Sequence, residues 1–151
     1  MPKSHLFRIR PYEPRDLDAA AAAANAACRQ AYAYFGYNHP VATTRARLSG
    51  AIAEGQRCFV PEADGVVVGI LTLKPSFIDR LFIAPLWQGL GFGSACLGLV
   101  KSLFPAGIEL HCAQQNFAAC RLYERHGFVP VTHLIYEPLG IGDVVYRWPG
   151  A

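Results

Sequence analysis

Gln88-Gly89-Leu90-Gly91-Phe92-Gly93-Ser94 places three glycines between an apolar run and a helical pattern, and the fold is read outward from it. Upstream, Phe77-Ile78-Asp79-Arg80-Leu81-Phe82-Ile83 has the aromatic and branched residues of a strand; downstream, Ser94 to Leu103 reads as a helix. The chain therefore passes from strand through a glycine turn into a helix. Glycine there admits positive φ and close approach of the backbone to a ligand. The first N–H groups of the following helix lack internal acceptors and favour an anion. Together these features outline a pyrophosphate cradle.

Spacing narrows the choice of cradle. The dinucleotide fingerprint needs glycine at its first, third and sixth places, and reading from Gly89 the sixth place is Ser94. A P-loop would close with Gly-Lys-Ser or Gly-Lys-Thr, and no lysine lies between Lys74 and Lys101. What remains, Gln88-x-x-Gly91-x-Gly93, resembles the acyl-coenzyme A pyrophosphate loop of the GCN5-related N-acetyltransferase (GNAT) family. A plain strand-to-helix turn would use the same glycines, so the surroundings decide.

The segment Asn116-Phe117-Ala118-Ala119-Cys120-Arg121-Leu122-Tyr123-Glu124-Arg125-His126-Gly127-Phe128 resembles the second signature of that family. Leu81-Phe82-Ile83-Ala84-Pro85-Leu86-Trp87-Gln88 is similar to its strand-four exit. The resemblance runs from about Cys58 to Trp148, and the first third matches only in layout. The residues make chemical sense on their own terms. Asn116 and Tyr123 are nearly two helical turns apart, so they share one face with Ala119 and Cys120.

The resemblance implies that Asn116 hydrogen-bonds the cofactor arm and that the Tyr123 hydroxyl reaches the thioester sulfur. A phenol of ordinary pKa ~10 protonates a thiolate of pKa ~8.5 only with local help, or simply hydrogen-bonds it. Tyr123 is expected as general acid, against a core aromatic; Asn116 would also cap its helix. Backbone groups near Phe82 and Ile83 would pair with the pantetheine amides as an added strand does, and an N–H near Ile83 would face the oxyanion. Gly89, Leu90, Gly91, Phe92, Gly93 and Ser94 would hold the pyrophosphate, with Gln88 shaping the loop. Asp79, three residues before Phe82, is the first candidate for the base toward the amine; its rival readings are an ion pair with Arg80 and an edge-strand charge.

Composition bounds the rest. With 151 residues, 52% hydrophobic and 17% charged, one folded domain spanning 1–151 is expected. The longest apolar candidate, Val66 to Leu73, is interrupted by Gly69 and Thr72, so no membrane span is expected. The first eight residues show no secretory signal, which points to a cytoplasmic location. A net charge of +3 is too small for nucleic-acid binding and suits a polyanionic cofactor. Five cysteines without a Cys-x-x-Cys pair suggest neither a disulfide framework nor a zinc site, and no metal is required. Cys120 is read as a small core residue or, less favourably, as a nucleophile.

Further expected elements are a strand over 7–10, a long helix from Arg15 to Phe35 ended by Gly36, and a second helix capped by Thr43 or Thr44 and reaching Glu54. Strands near 57–62 and 66–74 follow, joined by Ala63-Asp64-Gly65. After the loop helix come a strand over 108–112, a helix over 116–126 stopped by Gly127, and strands near 128–136 and 143–148. The fold class is α/β. By resemblance it is a GNAT-like, mostly antiparallel twisted sheet of about seven strands flanked by about four helices and splayed at the acetyl-coenzyme A site. Tyr32, Tyr34, Phe35, Tyr37 and His39 either line a substrate pocket or pin helices to the sheet. Glu62, Glu137, His111 and His133 are reserve candidates near the acceptor channel.

The activity implied is direct transfer of the acetyl group of acetyl-coenzyme A to a primary amine of a small molecule or peptide. The alternatives are a non-catalytic acyl-coenzyme A sensor and an acyltransferase with another donor or acceptor. Analogy with the family suggests a homodimer through the C-terminal strands.

Overall fold

Asp64 and Gly65, with φ of 51° and 81°, make the tight turn that the Asp-Gly pair signals, both centres being left-handed as this hairpin requires. The computed structural model of the chain describes residues 6–136 and 140–151. Glu137 and most of the turn after it, Pro138 and Leu139, lie outside the described residues.

In chain order the elements are β1 (Phe7–Pro11), α1 (Leu17–Ala31), α2 (Val41–Ala53), β2 (Arg57–Ala63), β3 (Val66–Val67), β4 (Gly69–Lys74), β5 (Phe77–Ile83), α3 (Phe92–Leu103), β6 (Ile108–Ala113), α4 (Phe117–Arg125), β7 (Val129–Tyr136) and β8 (Ile141–Trp148). They form an eight-stranded sheet in the order β1-β2-β4-β5-β6-β8-β7, with short β3 paired to β2. Among the described residues only the β5–β6 pairing is parallel, and α3 makes the crossover between those two strands.

Three expectations are corrected. First, α1 ends at Ala31, where Tyr32 leaves helical geometry (φ −113°, ψ 17°); a separate 3-10 turn over Ala33–Phe35 carries the chain to the left-handed Gly36. Second, α2 begins at Val41 behind Pro40, without a side-chain cap. Thr44 Oγ instead accepts the Asn25 amide at 2.9 Å, while the same amide donates to the His39 carbonyl at 2.9 Å. These bonds satisfy the amide donors of the buried Asn25 and join α1 to the start of α2. Third, the 66–74 segment is two strands, because the register against β2 shifts by one residue around Val68.

The alanine run has a packing reason beyond helix propensity. Ala20, Ala21 and Ala24 are buried with Leu48 of α2 against Val60 and Ile70 of the sheet. Small side chains let α1 lie close to the strands. On the other face Cys96, Leu97 and Val100 of α3 and Cys120 and Tyr123 of α4 pack on Leu71, Leu73, Ile78 and Leu110. The sheet thus carries α1 and α2 on one face and α3 and α4 on the other. Among the described residues no helix is long and apolar enough to cross a membrane.

Candidate active site

The sheet opens in its middle. β5 and β6 pair at Phe77 with Glu109 and at Ile78 with Leu110, and no further, although β5 continues to Ile83 and β6 to Ala113. The next residue, Asp79, is a bulge: Thr72 of β4 pairs with Arg80 and Leu73 with Ile78, leaving Asp79 without a register partner. An extra residue bends its strand and increases the local twist. The bend sits where β5 leaves β6, so the second half of β5 has β4 on one side and no strand on the other.

Which groups face that uncovered edge follows from alternation. The Ala84 N–H donates to the Val68 carbonyl at 2.8 Å, and Phe82 is the register partner of Ile70, so Phe82 and Ala84 turn their backbone groups toward β4. Those of Leu81 and Ile83 turn to the open edge. Gln88 closes the far end, its Nε2 donating to the Ile83 carbonyl at 2.9 Å. Of the two residues expected to offer backbone there, Ile83 does so; Phe82 lines a cavity on the α1 side.

The glycine loop then leads into α3. Gly89 and Gly91 have φ of 75° and 97°, and a Cβ on either would meet nothing within 4 Å. Their requirement is conformational, and the space above them is free. Gly91 is the N-cap of α3, no side chain caps the helix, and no acidic residue lies in its first turn. The first intrahelical bond runs from Ala95 N–H to the Gly91 carbonyl at 3.0 Å, which leaves the N–H groups of Phe92, Gly93 and Ser94 ahead of it without helical acceptors. Gly93 serves a different purpose, since a methyl group there would stand 2.9 Å from Leu122 Cδ2 of α4. The Phe92 ring is buried against Ala63, Val68 and Ile83 and stacks edge-on with Phe7, so this residue offers only backbone to a ligand. Leu90 is half exposed.

Ser94 Oγ lies 2.9 Å from His126 Nε2, a contact between the first turn of α3 and the end of α4 that spacing alone gave no sign of. Burial lowers the His126 imidazole below its ordinary value, and the Lys101 and Arg125 charges act in the same direction.

On α4, Asn116 Oδ1 accepts the Ala119 N–H at 3.3 Å. Its side-chain NH₂ is left over for another acceptor. Tyr123 is buried, its ring stacked with Phe128 and Tyr146. Burial drives its phenol well above the ordinary tyrosine range, with the neighbouring Cys112 and Tyr32 adding to the effect. Cys112 and Cys120 lie beside it with sulfurs 3.7 Å apart, both in the core.

On the opposite face a cavity of about 260 Å³ lies between α1, α2 and β5, with Tyr32, Tyr37, Arg47, Asp79, Arg80 and Phe82 among its walls. Adjacent residues of a regular strand point to opposite faces. The bulge lets Asp79 and Arg80 share this wall. Asp79 Oδ2 accepts from Arg80 Nη1 at 2.6 Å and from Gln56 Nε2 at 3.0 Å, while Oδ1 has Lys74 Nζ at 3.6 Å. Cys28 is on the cavity floor. Burial pushes its thiol up to about 11, against an opposing hydrogen bond from Tyr37 and the charges of Arg80 and Arg47.

The reserve residues fall elsewhere. Glu62 is bound to Arg8 and Arg10 on the β1–β2 side, His111 is exposed and stacks edge-on with Phe77, and His133 is exposed on β7. Sequence spacing missed Arg47 and His126, which reach their places through packing of separate helices. Among the described residues no group of three or more His, Cys, Asp or Glu could hold a metal ion.

The splayed sheet and the glycine loop define a class, and the comparisons agree. The acetyltransferase (GNAT) family model matches residues 20–128, well over half of the chain, and the chain belongs to that family. It is an acetyltransferase by that membership. No curated protein matches the sequence significantly. The fold is similar to that of PaiA N-acetyltransferase from Thermoplasma acidophilum, solved in complex with coenzyme A (TM-score 0.77, 15% identity, covering 95% of this chain and 99% of that one). It is also similar to the ribosomal-protein-S18-alanine N-acetyltransferase of Escherichia coli (TM-score 0.74, 19% identity, 97% and 95% covered). A GCN5-related N-acetyltransferase from Rhodopseudomonas palustris gives a TM-score of 0.76 at 19% identity, with 94% of each chain covered. At such identities the likeness is one of fold.

Proposed function

We propose that this chain moves the acetyl group of acetyl-coenzyme A to a primary amine of a small molecule or peptide, directly between the two bound reactants. The observation that carries the reading is the succession of two unsatisfied surfaces along the chain: the uncovered edge of β5, then, after a 3-10 turn over Pro85–Trp87 and the glycine loop, the uncapped first turn of α3. Acetyl-coenzyme A brings an activated thioester, a chain of amides and a pyrophosphate. The backbone of Leu81 suits the amides, and the backbone N–H groups from Gly89 through Gly91 to Ser94 suit the pyrophosphate.

Within that arrangement, Asn116 offers its free NH₂ to the cofactor arm. Tyr123 keeps its proton at neutral pH, because burial raises its pKa. It meets a departing sulfur as a hydrogen-bond donor and steadies the thiolate by that bond as the carbon–sulfur bond breaks, since the raised pKa keeps the proton on the phenol. Asp79 Oδ1 faces only Lys74, at 3.6 Å, and takes the proton that the attacking ammonium must lose, directly or through water. The Ile83 N–H points to the same open edge, where charge develops on the thioester oxygen.

The test is titration of the protein with coenzyme A in a calorimeter, followed by thiol release from acetyl-coenzyme A against a panel of amines. Saturable binding with amine-dependent thiol release is expected. Binding without release from any amine would make the chain a coenzyme A sensor, and absence of binding would sink the reading.

A further inference from the structure

We infer that the acceptor is a small amine that also carries an anionic group, a carboxylate or a phosphate, within a few bonds of its nitrogen. The inference rests on the acetyl-transfer reading and names the substrate class of that site. It comes from the charge arrangement of the cavity over β5.

That cavity has two guanidinium groups and one carboxylate on its walls: Arg47 from α2, and Arg80 and Asp79 from the bulge of β5. One oxygen of the carboxylate is engaged and the other is open to one ammonium. Its Oδ2 accepts from both Arg80 and Gln56, and Lys74 stands over Oδ1. Arg47 has no ion-pair partner among the described residues, in contrast to Arg45 two positions earlier, which is bound to Asp18 at 2.6 Å. Arg47 from α2 and Arg80 from β5 line the same cavity as Cys28, and both act electrostatically on its thiol.

A cavity with this balance discriminates by sign. One ammonium can be received at Asp79 Oδ1. A second cationic group, as in a polyamine, an aminoglycoside or a lysine-rich tail, would meet Arg47 with no free carboxylate to offset it, and like charges in a partly desolvated pocket repel. A carboxylate or phosphate there gains the planar fork of a guanidinium, the side chain best matched to oxyanions. Size points the same way. The volume, about 260 Å³, falls below the range of roughly 300–1,000 Å³ typical for drug-sized ligands. It suits a molecule of amino-acid dimensions.

The experiment compares matched amines with the full chain. α-Amino acids are set against their α-amides, O-phosphoethanolamine against ethanolamine, and spermidine stands as the polycation, each measured by thiol release from acetyl-coenzyme A and by calorimetric binding. The expected result is that a carboxylate- or phosphate-bearing amine has a KM roughly tenfold or more below that of its neutral partner, the value of one charge-assisted hydrogen bond. The amino-acid and phosphoethanolamine arms tell the two anions apart. Arg47→Ala, at an exposed position, should raise the KM for the anionic amine and not that for the neutral one; Arg47→Lys should restore part of the difference. Preference for spermidine or for the neutral partners overturns the inference, as does an Arg47→Ala variant that treats both members of a pair alike. Failure of coenzyme A itself to bind instead counts against the acetyl-transfer reading, so the two failures are distinct.

Discussion

Gln88 reaches back across the start of the glycine loop and holds the Ile83 carbonyl at 2.9 Å, so the last residue of β5 and the first of the loop are tied at the open edge of the sheet. A single net hydrogen bond is worth about 1 kcal/mol. Gln88→Ala is expected to loosen coenzyme A binding about fivefold with no loss of fold. Calorimetry of the variant checks this, and unchanged affinity would remove Gln88 from the loop's organisation.

Two glycines separate binding from folding. Gly91 needs its φ of 97° but has open space around it, and a β-branched residue resists that conformation. Gly91→Val is expected to lose coenzyme A binding while circular dichroism still reports a folded chain. Gly69 is different, because a methyl group there would overlap the Phe82 carbonyl oxygen across the β4–β5 pair. Gly69→Ala should cost stability, about 1–3 kcal/mol as overpacking generally does, read from a urea transition.

Tyr123 can be tested without disturbing its ring. Tyr123→Phe keeps the stacking with Phe128 and Tyr146 and removes only the donor. Turnover should fall about tenfold or more, the share of one hydrogen bond to a developing thiolate, with coenzyme A affinity nearly unchanged. A variant with normal turnover would return Tyr123 to the core.

His126 makes stability depend on pH in a stated direction. Its imidazole is depressed from 6.5 in the fold, so the unfolded chain binds the proton more readily. The stability it contributes is fully present above about pH 6.5 and is lost as pH falls through the depressed folded value. Urea transitions at two pH values on either side of this window should show a loss on acidification that His126→Asn reduces. An equal loss in the variant would place the effect elsewhere.

Arg10 anchors the opposite end of the sheet. It binds Asp16 through Nη1 and Nη2 at 2.8 and 2.9 Å and Glu62 through Nε at 2.8 Å. Its hydrogen bonds hold both carboxyl groups below their ordinary values of 3.8 and 4.5. Their contribution is therefore present above those values and lost as pH falls through the lowered ones. Arg10→Met leaves Asp16 without this cation and Glu62 with Arg8 alone, and about 3 kcal/mol of stability should go with it. Acetyl transfer should persist below the lowered melting temperature, since this cluster is remote from β5.

The sequence by itself determined the elements that neighbouring residues enforce. The strand over Phe77–Ile83, the Asp64-Gly65 turn, the Asn116 cap and the stop at Gly127 all came from signals a few residues long, because turn dihedrals and caps are satisfied locally. The glycine loop was legible for the same reason, although the separate duty of Gly93 was not, since Leu122 approaches it from another helix. Tertiary structure decided the rest. Helix propensity extends α1 beyond Ala31, but the chain turns at Tyr32. Thr44, a plausible cap by type, is taken by buried Asn25. Above all, one unpaired residue at Asp79 bends β5 away from β6 and turns Asp79 and Arg80 into a common cavity with Arg47. A bulge depends on the register between two strands, and the meeting of Arg47 with Arg80 depends on how a helix packs over a sheet; neither leaves a mark in the local order of residues.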